Sequence, residues 1–193
     1  MSVLCIFAYM KTEMDKMQSG ELYNIEDPEV QQSLTHAKIV LQKFNQLTLF
    51  SPEYRATLND LIPSAPASAC ICPPFYCDHG SCITLGENCF INYNCTFLDG
   101  GHIVLGNHVL IGPGCQIVTQ QHPKKFMERR LPQESCHAIT IGDDTWLGAG
   151  VIVCPGVTIG SRCIIGAGSV VIRDIPDDTM AAGNPAVVKK RLL

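Results

Sequence analysis

The sequence predicts a mainly β protein: a parallel β-solenoid wound in six-residue units, with an α-helical cap in front of it. Three observations carry this. From position 141 an aliphatic residue recurs every six residues, at Ile141, Leu147, Val153, Ile159, Ile165 and Val171, and glycine directly follows four of them (Gly142, Gly148, Gly160, Gly166). Two shorter upstream runs keep the same interval, Leu85, Ile91, Phe97 and then Leu105, Ile111, Ile117. No α-helix has a period of six, and a period-two strand fits only if the chain turns every six residues. Short strands with three turns per circuit would stack the recurring residues into one axial column, the hexapeptide β-helix.

The elements follow in chain order. The apolar opening from Val3 to Met10 is short, has no basic lead and no small-residue cleavage site after it, so it reads as an N-terminal extension with Met10 as an alternative start. Lys11–Gly20 predicts a short helix closed by Gly20. Asp27-Pro28-Glu29 reads as an N-cap, a first-turn proline and an acidic first turn. Behind it Val30, Leu34, Ala37, Val40, Leu41, Phe44 and Leu47 recur at three- and four-residue spacing, an amphipathic helix of about five turns. Ser51-Pro52-Glu53 starts a shorter helix with Tyr54, Leu58 and Leu61 on one side. Helices like these need a partner for their apolar faces, and the open first coil needs a lid. Residues 1–62 are therefore read as extension and cap, and 63–193 as the solenoid domain.

Within that domain, 63–82 is a proline-rich entry, the coils run from about 83 to 175, and Ala182-Gly183-Asn184-Pro185-Ala186 marks the tail. The repeat breaks twice. Two residues are inserted near Asp99-Gly100-Gly101, and twenty-four residues separate Ile117 from Ile141. The excursion 118–138 begins at Thr119-Gln120-Gln121-His122-Pro123. A long loop in a compact repeat protein is usually functional. This one looks too long and too charged to pack back on its own coil, and it leaves Phe126 and Met127 in need of cover.

Composition narrows the function classes. A net charge of −4 with no basic stripe argues against a nucleic-acid partner. No run is long enough to span a membrane. Eleven cysteines would suggest a disulfide scaffold, but Cys89, Cys95, Cys115 and Cys163 fall four places after a beat residue, a phase that elsewhere holds Thr145, Val151, Val157 and Ser169. That is an interior slot for small residues. It predicts reduced, structural cysteines in a cytoplasmic protein. No CxxC pair is present, and no metal is expected.

His122 is the leading catalytic candidate: an imidazole can act as a general base near neutral pH, and this one sits at the break in the repeat. Glu128, six residues on, could orient it or be a solvated charge. Trp146, the single tryptophan, could line a ligand beside Gly148-Ala149-Gly150 or pack between subunits. Asn92, Asn94 and Asp99 cluster before the two-residue insertion, either as ligands or as the asparagine ladder of a solenoid. Asp78 and Ser81 are further polar candidates. Arg173, Lys189, Lys190 and Arg191, and separately Lys124, Lys125, Arg129 and Arg130, could neutralise a phosphorylated ligand or be plain surface charge.

Phe75-Tyr76-Cys77-Asp78-His79-Gly80, Asn92-Tyr93-Asn94-Cys95-Thr96-Phe97-Leu98-Asp99, Thr119–Pro123, Ile139–Gly148 and Ala182–Ala186, with Glu21-Leu22-Tyr23 and Asp27-Pro28-Glu29, together resemble the maltose/galactoside O-acetyltransferases over nearly the whole chain. The resemblance implies a left-handed parallel β-helix, against the usual crossover hand, and a homotrimer binding acetyl-CoA in clefts between subunits. It implies His122 as the base that deprotonates a substrate hydroxyl, Asn92 and Asp78 as acceptor contacts, and Trp146 lining the site. The backbone amide at Ala149 would lie near the thioester, with Ala167, Ile172, Arg173 and Lys190 along the CoA arm. Three family ligands have no counterpart: Val187 replaces an arginine of some relatives, and Gly100 and the region of Ile25 lack the acidic acceptor ligands of one branch.

The expected activity is direct acetyl transfer to a hydroxyl of a sugar or similar small molecule. Cysteine nucleophilic catalysis is disfavoured, because the slot cysteines point inward. The rivals are a xenobiotic or serine acetyltransferase on the same fold, a γ-carbonic-anhydrase-like zinc enzyme, for which His102 and His108 fall on successive faces, and a non-catalytic solenoid.

Overall fold

A computed structural model describes residues 10–193. The extension expected from Val3 onward lies, up to residue 9, outside the described residues. The cap forms as its sequence signals require. Helix α1 (Glu13–Gln18) starts on a reciprocal box in which Thr12 and Asp15 each accept the other's backbone N–H. Gly20, at φ +80°, closes it. Asp27 accepts the Glu29 N–H at the start of α2 (Pro28–Phe44). Helix α3 (Tyr54–Leu61) follows. The Tyr54 hydroxyl accepts the Ile71 N–H and donates to the Ile71 carbonyl, both at 2.8 Å, tying α3 to the first coil strand. Ala37, Val40, Leu41 and Phe44 of α2 join Ile71, Phe75 and Ile83 in one buried cluster, so the helices cover the apolar end of the solenoid.

The coils form three parallel faces. The first holds Cys70–Ile71, Phe90–Ile91, Leu110–Ile111, Trp146–Leu147, Ile164–Ile165 and Thr179–Gly183, with the antiparallel Ala186–Arg191 added outside. The second holds Phe75–Cys77, Cys95–Leu98, Gln116–Val118, Ile152–Val153 and Val170–Val171. The third holds Ile83–Leu85, Ile103–Leu105, Ile139–Ile141 and Thr158–Ile159. The recurring residues form three columns rather than one. Ile91, Ile111, Leu147 and Ile165 align on the first face, Phe97, Ile117, Val153 and Val171 on the second, and Leu85, Leu105, Ile141 and Ile159 on the third. Each hexapeptide builds one face, so repeats stack three apart.

The interior slot is confirmed: Cys89, Cys95, Cys115, Cys163, Thr145 and Ser169 are buried. The slot also does more than fill space. The thiols of Cys89, Cys95 and Cys115 donate to the carbonyls of Gly106, Gly112 and Gly148, as the hydroxyl of Thr145 does to that of Gly160. The ten cysteines among the described residues are free.

The excursion corrects the expectation that it could not pack on its own chain. Gln120–Gln121 and Gln133–Cys136 pair as an antiparallel hairpin, and Tyr23–Asn24 adds a third strand. Its root packs on the coil: His137 N–H donates to the Thr119 carbonyl, and Cys136 lies buried against Gly100 and Gly101. Edge N–H and C=O groups need partners, and the cap supplies them. The tip, with the short helix α4 (Phe126–Arg129), leaves Phe126, Met127 and Leu131 exposed.

Two outcomes test this architecture. Thiol titration of denatured, unreduced protein should count close to all eleven cysteines of the sequence; five or fewer would contradict the interior slot. Ile141→Ala, inside a fully buried column, should cost about 2–5 kcal/mol in urea unfolding.

Candidate active site

Strand pairing in the hairpin fixes the surroundings of His122. Gln120 faces Cys136 and Gln121 faces Ser135, so Glu134 falls opposite His122. The His122 Nδ1 lies 3.8 Å from Glu134 Oε2, and Tyr23 on the added strand donates its hydroxyl to Glu134 Oε1. The Glu134 side chain is only 14% exposed, whereas that of His122 is 59% exposed. The arrangement can hold an imidazole in one orientation and leave its other nitrogen open to a substrate. Glu128 does not take this part. It sits on α4, exposed, paired with Lys125. Six residues of sequence separation became a turn of helix pointing away, while the antiparallel register delivered Glu134.

Beside Glu134 lies a cleft of about 210 Å³, walled by Tyr23, Leu34, Lys38, Asp78, Gln120 and Glu134. Asp78 faces it as a candidate acceptor ligand should, half-buried, with Gln120 Nε2 donating to Oδ2 at 2.6 Å. Burial raises its pKa, and the Glu134 charge adds to the rise. Ser81 is exposed and does not line this cleft.

Asp99 departs from its expected role. It is fully buried, and its Oδ1 accepts the backbone N–H groups of Asp78 and His79 at 3.0 and 2.9 Å. It fixes the strand end that carries Asp78 and offers nothing to a ligand in the cleft. Asn94 is likewise a corner residue. Its φ of +59° matches the position of Gly114, Gly150 and Gly168 in later coils, a conformation asparagine tolerates.

Asn92, Ala149 and Ala167 share one corner, between the first and second faces. Ladder bonds run Asn92 to Ile111, Gly112 to Leu147 and Gly148 to Ile165, and again Gly114 to Tyr93, Gly150 to Pro113 and Gly168 to Ala149. Among the described residues, the N–H of Ala149 has no backbone acceptor, and the residue is exposed. Trp146, half exposed, stands just before this corner on the first face. His122 leaves from the opposite corner, between the second and third faces. A four-residue strand, about 13 Å, separates the two sets. Ile172 and Arg173 follow the second face at the His122 corner, and Lys190 lies on the outer strand opposite Met180. One chain therefore does not bring His122 together with Asn92, Trp146 and Ala149. His102 and His108 also sit at different corners. Sequence reasoning missed Glu134, Gln120 and Lys38, whose only signal would have been the hairpin register and the docking of α2.

Residues 138–173 match the family model described as bacterial transferase hexapeptide (six repeats), and 16–65 the maltose acetyltransferase hexapeptide capping motif. Nodulation protein L of Rhizobium meliloti is 38% identical over 93% of this chain and 98% of its own length. Galactoside O-acetyltransferase of Lactococcus lactis is 37% identical over 92% of this chain and 86% of its own. The chain belongs to the hexapeptide-repeat acetyltransferases. Among solved structures, a maltose O-acetyltransferase from Clostridium difficile 630 superposes on this acetyltransferase with a TM-score of 0.92 at 38% identity, covering 95% of this chain and 98% of that one. A Vibrio cholerae hexapeptide-repeat acetyltransferase complexed with acetyl coenzyme A gives 0.89 at 36%, covering 95% and 100%. No helix among the described residues of this acetyltransferase is long and apolar enough to cross a membrane.

Two buried groups next to the cleft titrate in opposite senses. Burial holds the His79 pKa down at about 4. The folded state then takes up its proton later than the unfolded chain, and stability falls as pH drops from about 6.5 towards 4. Burial lifts Asp99 to about 6, so its contribution to stability rises as pH drops from about 6 to 4. We expect His79→Gln to lose less of its urea midpoint than wild type between about pH 7 and pH 4.5, and Asp99→Asn to lose more. Equal losses in all three proteins would rule out the assignment.

Proposed function

We propose that this enzyme is an acetyl-CoA-dependent O-acetyltransferase that acts on a hydroxyl of a sugar or similar small acceptor, in active sites shared between the subunits of a homotrimer. The observation that carries the reading is the His122–Glu134–Tyr23 chain at the edge of a polar cleft. His122 takes the proton from the acceptor hydroxyl as its oxygen attacks the thioester carbonyl. The C–O bond forms, the C–S bond breaks, and the imidazolium returns its proton to the departing thiolate. The unpaired N–H of Ala149 is suited to the developing oxyanion, an effect worth about 3 kcal/mol for one donor. Acetyl coenzyme A in the Vibrio cholerae relative and coenzyme A in a galactoside acetyltransferase, 29% identical with a TM-score of 0.90, support the donor. Ala167, Ile172, Arg173 and Lys190 are the proposed contacts along its arm.

Two features support the trimer. The groups needed for chemistry stand at opposite corners of one chain, which a neighbour's corner would bring together. The outer side of the first face also presents an in-register apolar column: Cys70, Phe90, Leu110, Trp146, Ile164 and Met180. Leu110 is 46% and Trp146 50% exposed in the single chain, a stripe that a packed partner would cover.

His122→Ala should lower kcat at least about a hundredfold, the scale of general-base catalysis, with acetyl-CoA binding retained. Glu134→Gln should lower kcat by about tenfold or more with little change in the KM for acetyl-CoA, and Glu128→Gln by less than about twofold. A His122→Ala enzyme that keeps a tenth of wild-type turnover would remove this base from the mechanism. Mixing His122→Ala subunits with subunits blocked at Ala149 should restore part of the activity. Mixed trimers that form and stay inactive would refute the shared site.

A further inference from the structure

The charge balance of the cleft points to the kind of acceptor, an inference that rests on the O-acetyltransferase reading above. Two carboxylates face this space. Asp78 is half-buried, and Gln120 occupies its Oδ2; among the described residues no donor reaches Oδ1. Glu134 is nearly buried, with one oxygen taken by Tyr23 and the other turned towards His122. The charged and titratable side chains around them are few. Lys38, on α2, is the one cation lining the cleft, and it is exposed. His79, also in the wall, is neutral at physiological pH because burial holds its pKa at about 4. With a neutral His122, the cleft carries one negative charge in excess. Opposite the carboxylates, Ile25, Val30 and Leu34 give an apolar wall.

A half-buried carboxylate oxygen without a donor is costly unless the ligand supplies one, and a charged donor does so best. We propose that the natural acceptor is an amino sugar or a related amino alcohol, whose protonated amine binds Asp78 Oδ1 within the field of Glu134 while a neighbouring hydroxyl is presented to His122. The apolar wall takes the C–H face of the ring. The ammonium is an anchor and not a nucleophile, so acetyl is transferred to oxygen and the nitrogen keeps its proton.

The test compares wild-type kcat/KM for glucosamine, glucose and N-acetylglucosamine with acetyl-CoA, at a pH where the amine is protonated, with the acetylated position read by NMR. Glucosamine should exceed both neutral sugars by about tenfold or more, the scale of one hydrogen bond to a charged group, and should carry acetyl on oxygen. Asp78→Asn should reduce that ratio to within about twofold. Lys38→Met, which removes the competing cation, should raise it. Turnover of all three sugars at similar kcat/KM, or an N-acetylated product, would overturn the proposal and leave the acetyltransferase reading intact. Absence of acetyl-CoA cleavage with any hydroxyl acceptor would overturn both.

Discussion

Successive coils approach so closely at their corners that a Cβ has nowhere to go, and the rest of the molecule is arranged around that contact. A methyl group on Gly106 would meet the backbone N of Asp143 at 2.7 Å, one on Gly142 that of Ser161 at 2.6 Å, and one on Gly148 that of Ala167 at 2.7 Å. These distances are below any real Cβ contact. The glycine that follows so many beat residues is therefore required by the parallel ladder, whose strands lie about 4.8 Å apart. The ladder in turn fixes the columns beneath, because each inward side chain must land on one a full coil away. Burial of each Ile, Leu or Val then contributes about 1.5–3 kcal/mol, repeated at every level.

The corner carbonyls create a second requirement. Turned inward at each bend, they need a donor that is small enough to fit the core. Cys89, Cys95 and Cys115 supply thiols, and Thr145 supplies a hydroxyl. This explains why cysteine and threonine share one phase of the repeat, where a purely apolar reading would expect valine or alanine. A thiol is a weak donor with a polarizable body, so it serves the carbonyl and fills the space together.

The proposed chemistry sits where these rules lapse. The hairpin leaves the coil after Thr119 and returns at His137, and its free edge is satisfied by a two-residue strand from the cap. That pairing sets Tyr23 against Glu134 and Glu134 against His122. The cap thus has two uses: it seals the apolar end of the solenoid, and it completes the wall of the cleft with Tyr23, Leu34 and Lys38. Asp99, buried behind the wall, holds the turn that presents Asp78.

Much of this was legible in the sequence. The six-residue interval forces the chain to turn three times per coil. The Asp27-Pro28-Glu29 cap and the three-four spacing of Val30 to Phe44 are local signals that need no tertiary context, and the break after Ile117 marked the excursion holding His122. The partners of His122 were not legible. Whether residue 128 or 134 faces it depends on where the hairpin turns, and that depends on antiparallel pairing with a strand a hundred residues earlier. Asp99 read as a ligand because a carboxylate in a loop usually is solvated; only packing showed it buried beneath two backbone N–H groups. The column count went the same way, since the interval sets the spacing along the chain while the number of corners per coil decides which residues stack. Periodicity and caps are local, and the sequence determined them. Register, burial and the facing of one carboxylate rather than another arise when distant segments close on each other, and those the tertiary structure decided.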